Sequence, residues 1–400
     1  MELLAPRDVA EVVEDVYASL GVRRVINATC HWTRFGGTIM PPQVLAAMHA
    51  AANAYVDVGA LLDAASERIS RHTHADATYV VSGCAAALMV GAAAVMVGED
   101  ARKAAMLPEI AGPRRWIARR FDRRAVPGTA ELPTAYTHFG YAQAVRGAGG
   151  TFVEVGTEDA VLIEEIDAAI DDETAGMYWL AGDPPGAPSP EALIALARDR
   201  AVPILIDASN VLPPPESLHR YIDAGADLVA FSGGKGLHGP QGSGFLTGRA
   251  DLVRAARALG SPNQGIGRVC KVSKEEMVGL VTALDLWVDR DHRAERRRAE
   301  RRTLWLYDQL GGLTDAEPEY VAVDHLGRPF PTVHLRLDSG AGMTERTLRQ
   351  RLLDGSPSIA IMPGFDPWTA RIDVRELDEE DIQKVADAIL AILMPASIGR

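Results

Sequence analysis

Short apolar runs alternate with helical patterns between residues 78 and 250. Thr78–Val81, Thr151–Val155, Met177–Ala181, Val202–Ile206, Asp227–Phe231 and Gly244–Thr247 are rich in β-branched or aromatic residues and mostly lack alternation. That is the pattern of strands buried on both faces of a largely parallel sheet. Between them the spacing predicts helices. Ser189 before Pro190 is an N-cap followed by proline at the first helical position, opening a helix to Arg200. Glu158–Asp171 carries apolar residues at helical spacing with acids on the other face. An α/β layered domain follows.

After Gly265 the pattern changes. Ser273 and Glu276 form a capping box, predicting a helix that runs to about Leu310. Strand-like segments at Tyr320–Val323, Thr332–Leu337 and Ala370–Arg375 then mix with helices near Thr344–Leu353 and Asp378–Leu393. The expected division is an N-terminal segment over 1–30, starting with a helix and packing on the smaller domain, a large domain over 31–265, and a long helix plus a small α+β domain with an antiparallel sheet over 266–400.

Composition narrows the function classes. With 47% apolar residues among 400, the chain can build a large core. Its 41 basic and 54 acidic residues leave a net charge of −13, which argues against a general nucleic-acid or anionic-membrane surface. An arginine cluster from Arg290 to Arg302 reads as a solvated helix face, partly neutralised by Asp289, Asp291, Glu295 and Glu300. Cys30, Cys84 and Cys270 lack CxxC spacing, so they read as reduced thiols and suggest no zinc site. No apolar run reaches membrane-spanning length, and the N-terminus is not a basic region followed by an apolar one. The expectation is a soluble cytoplasmic protein without a bound metal.

The chemistry concentrates around one lysine. Lys235 lies in Ser232-Gly-Gly-Lys-Gly-Leu-His-Gly-Pro-Gln241, directly after a buried-strand pattern. A desolvated lysine is a good amine nucleophile for a carbonyl, and the candidate carbonyl is the aldehyde of pyridoxal 5′-phosphate (PLP). PLP also needs an acid for its pyridine nitrogen and a cradle for its phosphate. Asp207 follows Val202–Ile206 at a strand's carboxyl end, where α/β sheets bind ligands, although an acid there also commonly caps a loop. Ser82, Gly83 and Cys84 follow a strand and open a helix of small residues, so their backbone N–H groups suit a phosphate. Ser232 adds a hydroxyl three residues before the lysine, and His138 is a candidate for stacking on the ring or moving a proton. Two rival motifs fail on their second element. The S-x-x-K of acyl-enzyme hydrolases has no S-D-N or K-T-G companion here, and Val229 and Gly236 break a P-loop.

Residues 25–98 and 203–290 resemble the fold-type-I PLP enzymes of the selenocysteine synthase-like group, which includes L-seryl-tRNA(Sec) selenium transferase and D-glucosaminate-6-phosphate ammonia-lyase. The resemblance is carried by Ile26-Asn-Ala-Thr29, Thr33-Arg-Phe-Gly-Gly-Thr-Ile-Met-Pro41, Tyr55-Val-Asp57, Ile206-Asp-Ala208, Leu212-Pro-Pro214, Phe231-Ser-Gly-Gly-Lys-Gly236, Gly267-Arg268 and Lys271-Val272 with Lys274-Glu-Glu276. It implies a large domain with a mostly parallel, seven-stranded sheet and a smaller α+β C-terminal domain. It further implies PLP on Lys235 as a Schiff base, Asp207 at the pyridine nitrogen, and the phosphate at 82–85.

The group's usual chemistry, also implied, is α-proton removal followed by loss of a β-substituent, with Lys235 as general base. A homodimer or larger homo-oligomer with active sites near subunit interfaces is implied as well. The family commonly has His-Arg where this chain has His138-Phe139, and arginine where it has His238. The segment 109–134 is longer and more arginine-rich than in the family, and the extended N-terminal region of the tRNA-dependent transferase is missing. The expected substrate is therefore a small amino acid carrying neither phosphate nor tRNA. β-Elimination leads the expected reactions, with racemisation, β-replacement, transamination and a non-catalytic PLP-binding homologue as alternatives. Expected substrate contacts are Arg34, His238, Arg268 and Arg371, with Arg336 and Arg375 as rivals for the carboxylate.

Overall fold

The computed structural model describes residues 16–121, 138–157 and 159–394, leaving aside the side chains of 138–141 and 341. Two compact units emerge. One holds residues 30–300 and 321–331, and the other the described residues up to Thr29 with 301–320 and 332–394.

The larger unit is built on a seven-stranded sheet. Its strands are β2 (Ala77–Val81), β3 (Arg115–Arg119), β4 (Thr151–Val155), β5 (Thr174–Leu180), β6 (Ile204–Asp207), β7 (Leu228–Ser232) and β8 (Gly244–Gly248). Their spatial order is β2-β8-β7-β6-β5-β3-β4. All neighbours pair in parallel except around β8, which is antiparallel to both β2 and β7. The fold is the expected α/β, fold-type-I arrangement. Each apolar run singled out between 78 and 250 overlaps a strand, with some ends shifted by up to three residues, and β6 and β8 are buried at every position. The sequence pattern missed β3, whose central Trp116 and Ile117 are fully buried while arginines stand at both ends.

Helices sit where their caps predict. Ser189 Oγ accepts from the Ala192 N–H at 3.2 Å and opens Pro190–Asp199. The Ser273–Glu276 capping box forms with both bonds made, at 3.2 and 3.1 Å. The long helix expected from it does not form as one piece. Lys274–Val288 ends at Asp289, and a second helix runs from His292 to Leu310. Asp291 Oδ1 accepts from the Ala294 N–H at 2.9 Å, so a fresh cap restarts the chain. The first of these helices packs on Pro42–Ala52 and Val58–Thr73, which keeps it in the larger unit and places the expected boundary at 265 inside that unit. The helix expected over 158–171 shortens to Ile163–Ala168. In the arginine-rich segment Arg296 pairs with Glu300 at 2.9 Å, as a solvated helix face does.

The smaller unit carries β1 (Val25–Ala28), β9 (Ala316–Val321), β10 (Thr332–Leu337), β11 (Ser358–Pro363) and β12 (Thr369–Ile372), ordered β1-β11-β12-β10-β9. The sheet is mixed rather than antiparallel, because β1 returns from the N-terminal segment to pair in parallel with β11. The helix expected at the start of the chain falls largely outside the described residues, which begin with the short turn Val16–Ser19. No described helix is long and apolar enough to cross a membrane.

Candidate active site

Three strand ends converge at one end of the seven-stranded sheet. β2 runs into Ser82-Gly83 and then the Cys84–Val97 helix, β6 ends on Asp207, and β7 ends on Ser232. Parallel β6 and β7 point the same way, and β2 stands one strand beyond, across β8. A ligand site at the carboxyl ends of such strands is what the topology favours.

Lys235 is carried by the return from β7 to antiparallel β8. That turn is tied by Gly233 N–H to Ser243 O at 2.9 Å, Gly239 N–H to Gly233 O at 2.8 Å, and His238 N–H to Lys235 O at 2.8 Å. A side chain at Gly234 would strike the Gln241 backbone, and one at Gly236 the Leu212 carbonyl, so the glycines flanking the lysine are required by close approach. The motif around Thr33–Thr38 packs on the same turn. Thr38 Oγ1 donates to Lys235 O at 3.2 Å, and Gln241 Nε2 donates to Thr33 O at 2.9 Å.

Among the described residues the Lys235 ammonium makes no hydrogen bond and no ion pair. Desolvation pulls its pKa below the ordinary lysine value, and the Arg328 guanidinium pulls the same way, while Cys84 and Asp207 oppose the shift. Asp207 is fully buried yet well supplied with donors. Its Oδ1 accepts from Ser209 N–H at 3.0 Å and the Cys84 thiol at 3.5 Å, and its Oδ2 from Tyr178 O–H at 3.1 Å. The Cys84 thiol also reaches Ala230 O at 3.4 Å, and burial with the neighbouring carboxylate holds it protonated, well above the usual thiol range.

The Cys84–Val97 helix starts without a side-chain cap. Gly83 precedes it at φ +95°, a conformation that favours glycine, and a Cβ there would meet nothing within 4 Å. No side chain caps the first-turn N–H groups, and a helix start of this kind can receive an anion. An amine with no partner among the described residues, an acid fixed by three donors and an uncapped helix start together fit PLP, which needs one of each.

The remaining expected residues are distributed as follows. Ser82 is half-buried, with its N–H on Cys270 O at 3.2 Å, and Ser232 is half-buried at the end of β7. Arg268 opens the short turn Arg268–Cys270, whose last residue supplies the carbonyl that holds Ser82. Arg34 is exposed and lies over the Phe35 ring. His238 adopts φ +58°, and its ring stands edge-on to the buried His31 at 6.3 Å. Arg371 is on β12 of the smaller unit, where its Nε donates to Pro363 O at 2.8 Å and its guanidinium covers Phe365. In the same unit Arg375 is paired with Asp373 at 2.8 Å. His138 begins the helix to Gly147, but its side chain lies outside the described residues.

Sequence reasoning missed Tyr178, whose only signal was a hydroxyl inside a buried strand. It also missed Arg328. That side chain is largely buried in the 321–331 excursion, bound to Asp324 and donating to Asn210 O at 2.6 Å. Asn210 in turn faces His31 Nδ1 at 3.4 Å.

The chain is similar to known proteins along most of its length. The family model described as L-seryl-tRNA selenium transferase, SelA, matches residues 25–304. A D-glucosaminate-6-phosphate ammonia lyase from Salmonella typhimurium is 30% identical over 274 residues, 68% of this chain and 69% of that protein. A 5'-C-glycyluridine monooxygenase-decarboxylase from a Streptomyces species is 31% identical over 352 residues, 86% of this chain and 83% of that one. Among solved structures, a D-glucosaminate-6-phosphate ammonia-lyase superposes with a TM-score of 0.75 at 24% identity, covering 95% of this chain and 98% of its own. With the strand-end lysine, acid and helix start in place, the chain belongs to the L-seryl-tRNA selenium transferase family, whose cofactor is PLP.

Proposed function

We propose that this protein is a PLP-dependent enzyme that cleaves the Cα–H bond of a small amino acid and completes a β-elimination, expelling the β-substituent with a proton and, after hydrolysis by one water, releasing ammonia and a 2-oxo acid. The observation that carries the reading is the Lys235 amine, partly buried, without a hydrogen bond among the described residues and lowered in pKa beside Asp207. Bound PLP supplies an aldehyde for an amine and an electron sink for the charge left at Cα. Lys235 is then the group that takes the Cα proton, since an amine made less basic by desolvation carries a larger deprotonated fraction at neutral pH. Asp207 holds a proton at the ring nitrogen, with Tyr178, Ser209 and Cys84 fixing its two oxygens. The N–H groups of residues 84–86 bind the phosphate, with the Ser232 hydroxyl beside them. His238 and Arg268 are assigned to the substrate, and Arg34 and Arg371 remain candidates for its carboxylate.

The similarity to an ammonia lyase supports elimination. A second reading, decarboxylation coupled to oxygen, is favoured by the relative that matches 86% of the chain. A homo-oligomer is part of the proposal. Ile39, one residue beyond the Thr38 that holds the Lys235 turn, is 92% exposed, and Tyr55 and Val269 are exposed as well. Large apolar side chains left in water beside a site suit a second copy of the chain.

The test is an amino-acid screen that follows ammonia, 2-oxo acid, α-deuterium loss, carbon dioxide and oxygen uptake together. Ammonia and 2-oxo acid in equal amounts without oxygen uptake support elimination. Deuterium loss alone means racemisation, and oxygen uptake with carbon dioxide means the second reading. Visible PLP absorbance that persists unchanged in Lys235→Ala would sink the assignment of the lysine.

A further inference from the structure

The far end of the seven-stranded sheet holds a second cluster. Ala77, the first residue of β2, and Leu228, the first of β7, both lie opposite Gly248 at the end of β8. The segments entering β2 and β7 therefore start close together, at the end of the sheet away from Ser82 and Lys235. His74 is on the first segment, and His219 and Asp223 are on the second. His74 caps the Val58–Thr73 helix at φ +57°, a position where glycine is the usual residue. His219 and Asp223 are four residues apart at a helical turn, so both project from one face.

The three side chains converge. His74 Nδ1 lies 2.8 Å from Asp223 Oδ1, and His219 Nδ1 lies 2.6 Å from Oδ2. The two rings stack with centroids 4.3 Å apart. Among the described residues these side chains have polar contacts with one another alone. One donor atom from each of the three lies within 4.8 Å of the others.

We propose that His74, His219 and Asp223 form a site for a divalent transition-metal ion, with zinc best suited to two imidazoles and a carboxylate. The cation takes both Nδ1 atoms and a carboxylate oxygen, with the imidazoles neutral and their protons on Nε2. Zinc bonds of about 2.0–2.2 Å in a tetrahedron separate neighbouring donors by about 3.3 Å. The two imidazoles now face different oxygens of the carboxylate, at 2.8 and 2.6 Å, so binding turns the exposed rings and the carboxylate until three donors converge on the ion. Water fills the fourth position, because all three side chains reach solvent, at 51%, 33% and 46% exposure. Its place at the opposite end of the sheet from Lys235, joining two chain segments, makes this a clip rather than part of the PLP site. It ties the chain entering β2 to the chain entering β7, ligands 149 residues apart in sequence.

The experiment uses the untagged, PLP-loaded protein, stripped with a chelator and returned to chelator-free buffer. Zinc sulfate is titrated by calorimetry and cobalt(II) chloride by visible absorption. We expect one equivalent per chain at micromolar dissociation constant or tighter, intense visible cobalt bands of four-coordinate geometry, and a higher thermal midpoint with zinc. His74→Asn keeps a residue that tolerates positive φ, and Asp223→Asn keeps the side chain's shape. Each should weaken zinc at least tenfold and remove the thermal shift while the visible PLP absorbance is unchanged. The wild-type cobalt spectrum tests the site even where a variant folds poorly. No saturable zinc binding below about 100 µM, a weak six-coordinate cobalt spectrum, or undiminished affinity in both variants would overturn the proposal.

Discussion

Replacing the central lysine should make the cofactor-free protein more stable. Lys235 contributes an ammonium that desolvation disfavours and that no side chain or carbonyl accepts among the described residues. A buried donor left without a partner costs about 1–3 kcal/mol. Methionine has similar length, no charge and no donor, so Lys235→Met removes that cost and keeps the packing. With an m-value of about 3 kcal/mol per molar for a chain of this size, the urea midpoint rises by about 0.3–1 M. The gain depends on pH in a stated direction. Because the folded state lowers the lysine pKa, the unfolded chain binds the proton more strongly, and wild-type stability climbs as pH rises through the folded-state pKa toward the ordinary lysine value. The penalty is complete below the folded-state pKa and gone above the ordinary value. The advantage of Lys235→Met should therefore be largest near neutrality and shrink under alkaline conditions. Urea unfolding of PLP-free protein, followed by far-UV circular dichroism at neutral and alkaline pH, checks both points. A variant less stable than wild type at neutral pH, or an advantage that grows with pH, would refute the reasoning.

Other substitutions test the frame around that lysine. Tyr178→Phe removes a donor from the buried Asp207 carboxylate, and a hydrogen bond to a charged group is worth about 1.5–3 kcal/mol, readable as a lower urea midpoint. Gly236→Ala pushes a methyl into the Leu212 carbonyl, with an overpacking cost of about 1–3 kcal/mol and weaker PLP retention on dialysis. Ser273→Ala breaks the capping box that opens Lys274–Val288 and should cost about 1 kcal/mol in thermal or urea unfolding without changing PLP content. Ile39→Asp with Tyr55→Asp should lower the mass seen by light scattering, and an unchanged mass would exclude that surface from any interface.

Much of the candidate site could be read from the sequence because its residues sit at the ends of short apolar runs. Lys235, Asp207 and Cys84 are far apart in the chain, yet each follows or closes a strand pattern, and parallel pairing brings strand ends together. What escaped depends on neighbours that local pattern does not encode. Tyr178 is a strand residue like those beside it until β5 pairs with β6 and its hydroxyl meets Asp207. Arg328 comes from a segment between two small-sheet strands that packs with the larger unit. β3 escaped because its flanking arginines hide a three-residue buried centre, and β11 because proline stands at its end. The break at 289–291 is a choice between continuing one helix and restarting another, and the Asp291 cap decides it.

The reversal of direction at β8 has a kinetic consequence. A parallel successor to β7 would demand a crossover of a dozen residues or more, usually through a helix. The antiparallel return instead holds Lys235 on a connection spanning only 233–243, closed at its mouth by the pairing of Ser232 with Gly244. In the proposed reaction, an amine set free during turnover would remain tethered within a small volume, at high effective molarity over the reacting carbon. The search a detached base would make is completed once, when the sheet forms, and need not be repeated in each catalytic cycle.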